Sequence, residues 1–398
     1  MTEPSAVADT EQRPANEPRG PLDGVRVLNI GGHLSAGHST ALLADFGADV
    51  IAIEMPGKGD ALRGMGPFSD GKSLRWVVVG RGKRSITADL HTEEGQELVR
   101  ELVRDVDVVV ENYRPGTVAR WGLAYEDLRA INPRIIMLSI SGYGQTGPSS
   151  YKPGFGRVLE AVSGLMNSTG MPDGPPMQIG VPVVDYITGT LAAMAVSMAL
   201  YHRDVHPDGE GQHIDVSLYE TVVRLLDALI TRYDVLGDVP MRMGNRYPNV
   251  VPSDVYRTRD GRYVFHSSAA QTIFERLAKA IGREDMLTDE RYATNLQRIE
   301  RIDEVNDIVQ AWFSEHDYED VIRIMDEHGV PVGPVNTMKE VAHDPHLLER
   351  ETLVRMDVEG IGPVLMPGLV PKFSRTPGRI RHPGPSVGQH DAEFGIGE

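Results

Sequence analysis

Cysteine is absent from all 398 residues. That excludes disulfides, thiolate metal sites and a cysteine nucleophile. The histidines form no metal pattern, because His343 and His346 flank Asp344-Pro345 and the proline breaks a helical pairing. No metal site is therefore expected. Positive charge is scarce as well. A formal net charge of −17 argues against a general binder of nucleic acids or anionic membranes. An anionic small ligand needs only a local basic pocket, and Arg81-Gly82-Lys83-Arg84 and Arg114 with Arg120 are candidates. No run reaches the ~18 uninterrupted apolar residues of a membrane span. Met1 to Arg19 is polar, acidic and rich in Ala, Glu and Pro. It reads as a disordered tail over residues 1–20 rather than a secretory signal. Together these features favour the cytoplasm.

The first half of the chain alternates strand and helix signals. Val25 to Ile30, Asp49 to Glu54, Val106 to Val110 and Pro133 to Ile140 read as strands. Ser39 to Phe46 and Thr92 to Val103 read as helices between them. This order implies βαβ units, a parallel sheet and a Rossmann-like α/β domain. Gln212 to Ser217 reads as a further strand, leading into a helix from Tyr219 to Leu236. After about Gly237 the pattern changes. A hairpin with an Asp-Gly turn at Asp260-Gly261 is followed by helical stretches at Thr272 to Ile281, Ile302 to Ser314 and Asp317 to His328. This predicts a smaller α+β domain over 237–329, with 21–236 and 330–398 forming the larger domain.

Gly31-Gly32-His33-Leu34-Ser35-Ala36-Gly37 follows the first strand, where a phosphate-binding loop would lie. It does not match the dinucleotide fingerprint. A plain glycine-rich turn and a nucleotide-ligand contact both remain open. Glu54 ends the second strand, where a dinucleotide enzyme places its ribose-binding acid. Glu111-Asn112-Tyr113-Arg114-Pro115-Gly116 follows another buried strand. Its amide, aromatic ring and guanidinium suit a purine nucleotide. Asp185 precedes the small-residue apolar run Thr190 to Val196. It is either a helix N-cap or a nucleophile. Nearby glycines would let a ligand approach the backbone closely.

In order and spacing, these segments resemble family III CoA-transferases, to which the α-methylacyl-CoA racemases are related. The likeness spans about Pro21 to Gly388. It rests on Pro21-Leu22-Asp23-Gly24-Val25, Gly82-Lys83-Arg84-Ser85-Ile86, Glu111 to Gly116, Ser141-Gly142-Tyr143-Gly144-Gln145-Thr146-Gly147-Pro148, Met243-Gly244-Asn245-Arg246-Tyr247 and Gly329-Val330-Pro331-Val332-Gly333-Pro334. The resemblance implies a Rossmann-like large domain formed by both chain ends, a smaller α+β domain and an interlocked homodimer. It implies an acyl-CoA:carboxylate CoA-transferase with Asp185 as nucleophile, working through an aspartyl anhydride and an aspartyl-CoA thioester. No cofactor is permanently bound, and coenzyme A enters as substrate. Its contacts are expected at His33, Leu34, Ser35, Ala88, His91, Asn112, Tyr113, Arg114, Arg120 and Trp121. Met55 stands where a phosphate-binding arginine is common, which shifts that task to Arg114, Arg120 or the Arg81–Arg84 cluster. The racemases pair the aspartate with a histidine, but here the matching segment is Gly154-Phe155-Gly156. Phenylalanine cannot accept a proton, so racemase chemistry is the alternative rather than the main reading. A non-catalytic CoA-binding protein is the third.

Overall fold

A computed structural model describes residues 19–397. The expected tail therefore lies, apart from Arg19 and Gly20, outside the described residues. The described chain divides into two compact units. One comprises residues up to 163, 179–228 and those from 344 onward; the other comprises 164–178 and 229–343.

The main sheet of the first unit is built from β1 (Arg26–Asn29), β2 (Asp49–Glu54), β3 (Lys83–Thr87), β4 (Val108–Glu111), β5 (Ile136–Ser141) and β6 (His213–Ser217). They form one sheet in the order β3-β2-β1-β4-β5-β6, and every pairing is parallel. A parallel sheet is covered on both faces, so its inner strands read as apolar runs without alternation. Val27, Leu28, Ile51, Val109, Ile136 and Leu138 are accordingly fully buried. Each such side chain contributes roughly 1.5–3 kcal/mol. β1 and β4 are neighbours although the chain runs from β1 to β2, so the winding reverses between them. In open α/β sheets ligands bind beyond the carboxyl ends of the strands at such a point.

Helix α1 is His33–Asp45, α2 is Leu74–Val79, α3 is Glu93–Val103, α4 is Gly156–Val162 and α5 is Val183–Val205. Thr92 caps α3, its hydroxyl accepting from Gly95 N–H at 3.2 Å. α5 packs along α1 through small buried residues, among them Thr188, Gly189, Ala192 and Ala193. By length and composition α5 could cross a membrane. Its last turn instead carries the buried Arg203, paired with Asp107 at 2.8 Å.

Three sequence expectations change. α1 starts at His33, so most of the expected loop 31–37 is helix. The expected helix Tyr219 to Leu236 is two helices, Leu218–Arg224 and Leu229–Leu236, separated around Asp227, whose φ of 50° is left-handed. The third change concerns unit boundaries. In the second unit Ser253–Arg257 and Val332–Pro334 both pair antiparallel with Tyr263–Ser267, which draws 330–343 into that unit. Residues 164–178 belong there too: Gly244 N–H donates to Gly170 O at 2.9 Å, and Arg242 donates to Asn167 O at 3.0 Å. Phe274, Leu277, Val309, Phe313 and Val321 fill this unit's core.

One string was overlooked in the sequence. Gly66-Pro67-Phe68-Ser69-Asp70-Gly71-Lys72-Ser73 spells the P-loop pattern. In the fold it is a tight turn between the antiparallel pairs Phe68–Ser69 and Lys72–Ser73, with no parallel strand before it. Ser73 caps α2, and the Lys72 ammonium donates to Glu359 O. It is not a nucleotide loop.

Candidate active site

The loops after β1 and β4 meet at the reversal point. Asn112 ties them together, donating through Nδ2 to Gly32 O at 2.6 Å and accepting Gly32 N–H on Oδ1 at 2.9 Å. A Cβ on Gly31 would lie 2.6 Å from that Oδ1, so only glycine permits the approach. The Tyr113 hydroxyl donates to Ile30 O at 3.0 Å, and its ring stands edge-on to Trp121 at 4.9 Å.

A cleft of about 410 Å³ opens over these loops. Of the residues expected to contact CoA, His33, Ala88, His91, Asn112, Tyr113 and Arg114 line it. Leu34, Ser35, Arg120 and Trp121 do not. Because α1 begins at His33, Leu34 turns onto the cluster of Leu62, Trp76 and Val79, and Ser35 is buried. Arg120 is exposed and donates to the Thr117 hydroxyl. Trp121 supports Tyr113 and His91 by edge-on ring contacts.

The basic cluster is committed elsewhere. Arg81 is buried in a bidentate ion pair with Asp45. Lys83 is 1% exposed and donates to Gly37 O at 2.8 Å. Burial pushes its ammonium down to about 8. Arg84 pairs with Asp49. None of the three lines the cleft. Glu54 is equally engaged. It accepts from Arg63, from the Ser85 hydroxyl and from Asp60 N–H, which leaves it no part as a ribose-binding acid. The cleft's lining instead holds Arg114, Lys152 and the imidazoles of His33 and His91. The sequence reading passed over Lys152. Its signal, a lysine between Tyr151 and Pro153, has no meaning until the fold brings Ser150 to Phe155 over the β1 and β4 loops.

Asp185 is the third residue of α5, after an N-cap at Pro182, and its carboxylate accepts its own backbone N–H. The N-cap reading is therefore replaced by a first-turn carboxylate, where the helix dipole favours its charge. It is half-buried, and that burial raises its pKa. His33 and Arg157 act in the opposite direction. The neighbouring chain leaves it room, since a Cβ on Gly156 would lie 2.3 Å from Oδ2. Gly156 follows directly on Phe155, which lines the cleft, and the Phe155 ring faces His33 at 6.4 Å between centroids. The carboxylate thus sits beside the rim of the cleft. On its far side the Tyr186 ring packs edge-on against His38 at 4.8 Å. His38 is held neutral, pushed down to about 4 by burial and by Lys83 and Arg81.

The sequence profile of CoA-transferase family III matches residues 22–391. A succinyl-CoA–D-citramalate CoA-transferase of Chloroflexus aurantiacus is 44% identical over 386 residues, covering 97% of this chain and 94% of the relative. A succinate–glutarate CoA-transferase of Agrobacterium fabrum is 38% identical over 382 residues, covering 94% of each. Among solved structures, a CaiB/BaiF family protein from Brucella suis superposes with a TM-score of 0.83 at 34% identity, covering 94% of this chain and 98% of its own. Family profile, full-length relatives and fold agree: this chain belongs to CoA-transferase family III.

Proposed function

We propose that this enzyme moves CoA from an acyl-CoA thioester to a carboxylic acid, and that its substrates are dicarboxylic acids and their mono-CoA thioesters. The observation that carries the reading is Asp185: a half-buried first-turn carboxylate at the rim of the cleft, with a glycine beside it and His33 and Arg157 acting on it electrostatically. The substrate class draws on the relatives, whose names pair succinyl or succinate with citramalate and glutarate.

In the proposed cycle an Asp185 carboxylate oxygen attacks the donor thioester carbonyl. The C–S bond breaks, leaving a mixed anhydride and CoA thiolate. The thiolate attacks the Asp185 carbonyl carbon of the anhydride, which releases the donor acid and forms an aspartyl-CoA thioester. The acceptor carboxylate attacks that thioester and expels the thiolate as a second anhydride forms. The thiolate then attacks the acceptor acyl carbon, giving the new acyl-CoA and free Asp185. Protons and electrons balance without a redox step. Arg114 and Lys152 would hold the CoA phosphates, and the edge of Tyr113 would support the adenine.

Supporting a homodimer, α4 exposes Val158 and Val162, and α5 exposes Met194, Met198, Tyr201 and Val205. Apolar patches of this kind mark interaction surfaces. A second copy of the chain is the occupant we assign to them.

The test is trapping. Incubation of the enzyme with succinyl-CoA and hydroxylamine should convert Asp185 to a hydroxamate detectable by mass spectrometry. Retained turnover in Asp185→Ala would sink the reading. Racemase chemistry keeps one supporting observation, the action of His33 on Asp185. It demands solvent deuterium at the α-carbon of a 2-methylacyl-CoA, and we expect none.

A further inference from the structure

Asp185 can act at the cleft only if the chain leading into α5 is held in place, and that chain has little of its own to hold it. Residues 175–182 lack helix and strand, and none of them is buried. The chain re-enters the first unit at Ile179, shortly before Asp185.

Ile179 is grasped at both of its backbone groups. Its N–H donates to Glu160 Oε1 at 2.6 Å, and its carbonyl accepts from Arg157 Nη1 at 2.6 Å. Hydrogen bonds with one ionised partner are the strong ones. Both side chains come from α4, where the i, i+3 spacing puts them on one face. Glu160 is 1% exposed. Its second oxygen, Oε2, accepts no hydrogen bond among the described residues and faces Arg157 Nη1 at 3.8 Å. Burying a carboxylate is costly unless it is paired and hydrogen-bonded. What this one secures is a backbone group of an otherwise irregular segment. The same helix also touches the far end of that segment. A Cβ on Gly156 would lie 2.3 Å from Asp185 Oδ2 and 3.4 Å from Val184 Cβ. α4 therefore holds Ile179 through two side chains and abuts Asp185 through a glycine.

We propose that Arg157 and Glu160 are positioning residues, which clasp Ile179 and thereby fix the Asp185 carboxylate against Gly156 at the rim of the cleft. This deepens the transferase reading and rests on it for the chemistry. Neither side chain lines the cleft, so the clasp acts on placement and not on CoA binding. The test uses the full-length protein. The first-turnover rate of Asp185 adduct formation at saturating succinyl-CoA, read by hydroxylamine trapping per folded molecule, is set against the calorimetric affinity for CoA.

Glu160→Leu should slow adduct formation roughly 10- to 100-fold, as expected for a displacement of about 1 Å, and leave CoA affinity within about threefold of the wild type. Glu160→Gln, which keeps an acceptor for the Ile179 N–H, should recover part of the rate. A wild-type rate in Glu160→Leu overturns the proposal, and so does a loss of CoA affinity as large as the loss of rate. If Glu160→Leu does not fold, Arg157→Met on the exposed side of the clasp takes its place, with Arg157→Lys as the rescue. Arg157 also acts on Asp185 by its charge, and pH separates the two effects. A placement defect persists where Asp185 is fully ionised, whereas a deficit that vanishes at alkaline pH overturns the clasp. Amide exchange reads the clasp without the chemistry: the Ile179 N–H should exchange faster in Glu160→Leu than in Asp185→Asn. Wild-type protein that forms no Asp185 adduct counts against the transferase reading instead. The exchange rates then still decide whether the clasp exists, and equal rates overturn it.

Discussion

Two stretches of this chain treat their side chains in opposite ways. Between β1 and β5 the basic side chains of the sheet and its first helices are satisfied internally. Arg63, Arg81, Lys83 and Arg84 all find carboxylates or carbonyls, and the apolar residues of the strands are buried. Between Tyr151 and Tyr247 many apolar residues face outward. Phe155 is 69% exposed and Tyr201 71%, and helix Leu229–Leu236 buries none of its residues. The first stretch is a finished scaffold. The second carries Asp185 and leaves apolar surface for something else to cover. If Asp185 is the nucleophile we propose, stability and chemistry are assigned to different parts of the sequence, and substitutions in each should fail in different ways.

The sharpest separation is at Asp185. Asp185→Ala should reduce CoA transfer by at least three orders of magnitude, because the covalent route is gone. Its thermal midpoint should not fall, since no partner in the scaffold loses a bond. A fall in stability as large as that in activity would erase the distinction between the two stretches. Next in size is the apolar surface. Met198→Asp would put a charge on the exposed face of α5. If a second copy covers that face, sedimentation should show the assembly falling to single chains at micromolar concentration. An unchanged mass would mean that this face is open to solvent.

The scaffold fails differently. Asp45→Asn leaves the buried Arg81 guanidinium without its counter-ion. Breaking a buried pair from one side costs about 3–5 kcal/mol, which urea unfolding would register. Adduct formation per folded molecule should stay at the wild-type level, because neither residue lines the cleft. A selective loss of adduct formation would show that the pair also serves the site.

These contrasts were unequally legible in the sequence. The parallel sheet was readable because strands buried on both faces are continuous apolar runs such as Val108-Val109-Val110. The loops after β1 and β4 were readable as ligand segments, but the strand reversal that brings them together was not. Nor was the fate of the basic cluster. Arg81, Lys83 and Arg84 look like a phosphate site in one dimension. Their partners Asp45 and Asp49 lie more than thirty positions earlier, on the end of α1 and the start of β2. Periodicity carries no information about such pairings. The start of α1 was misjudged because Gly31, Gly32 and Gly37 suggest a loop, whereas Gly37 is buried inside the helix. Lys152 gave no signal because it acquires meaning only from residues distant in sequence.

A smaller effect belongs to Glu111, at the seam between scaffold and cleft. It is 1% exposed, accepts Tyr113 N–H at 2.8 Å, and is bonded to Ser139. His213 reaches the same Ser139 hydroxyl at 2.9 Å from β6. Burial pushes the Glu111 carboxyl up to about 7, and the nearby Asp215 adds to the rise. The folded protein therefore holds this proton where the unfolded chain has released it. The associated stability is complete below the ordinary glutamate range near 4.5 and is lost as the pH rises through about 7. Its size is on the order of 3 kcal/mol. Glu111→Gln keeps an acceptor for Tyr113 N–H and an amide donor for Ser139, and it does not titrate. Thermal midpoints measured from pH 5 to 8 should decline for the wild type and run flatter for the variant.

The same sign applies at Asp185, in weaker form. Burial raises its pKa, so the ionised carboxylate at neutral pH opposes folding. Asp185→Asn should raise the midpoint at pH 7 to 8 by on the order of 1–2 °C, and the gain should shrink as the pH falls toward the folded pKa. The acid limb of CoA transfer should lie above the ordinary aspartate range for the same reason, since only the ionised form attacks. A midpoint that falls in Asp185→Asn at every pH would mean that this carboxylate supports the fold. It would then belong with Asp45 in the scaffold, and the division between the two stretches would fail at the residue on which it most depends.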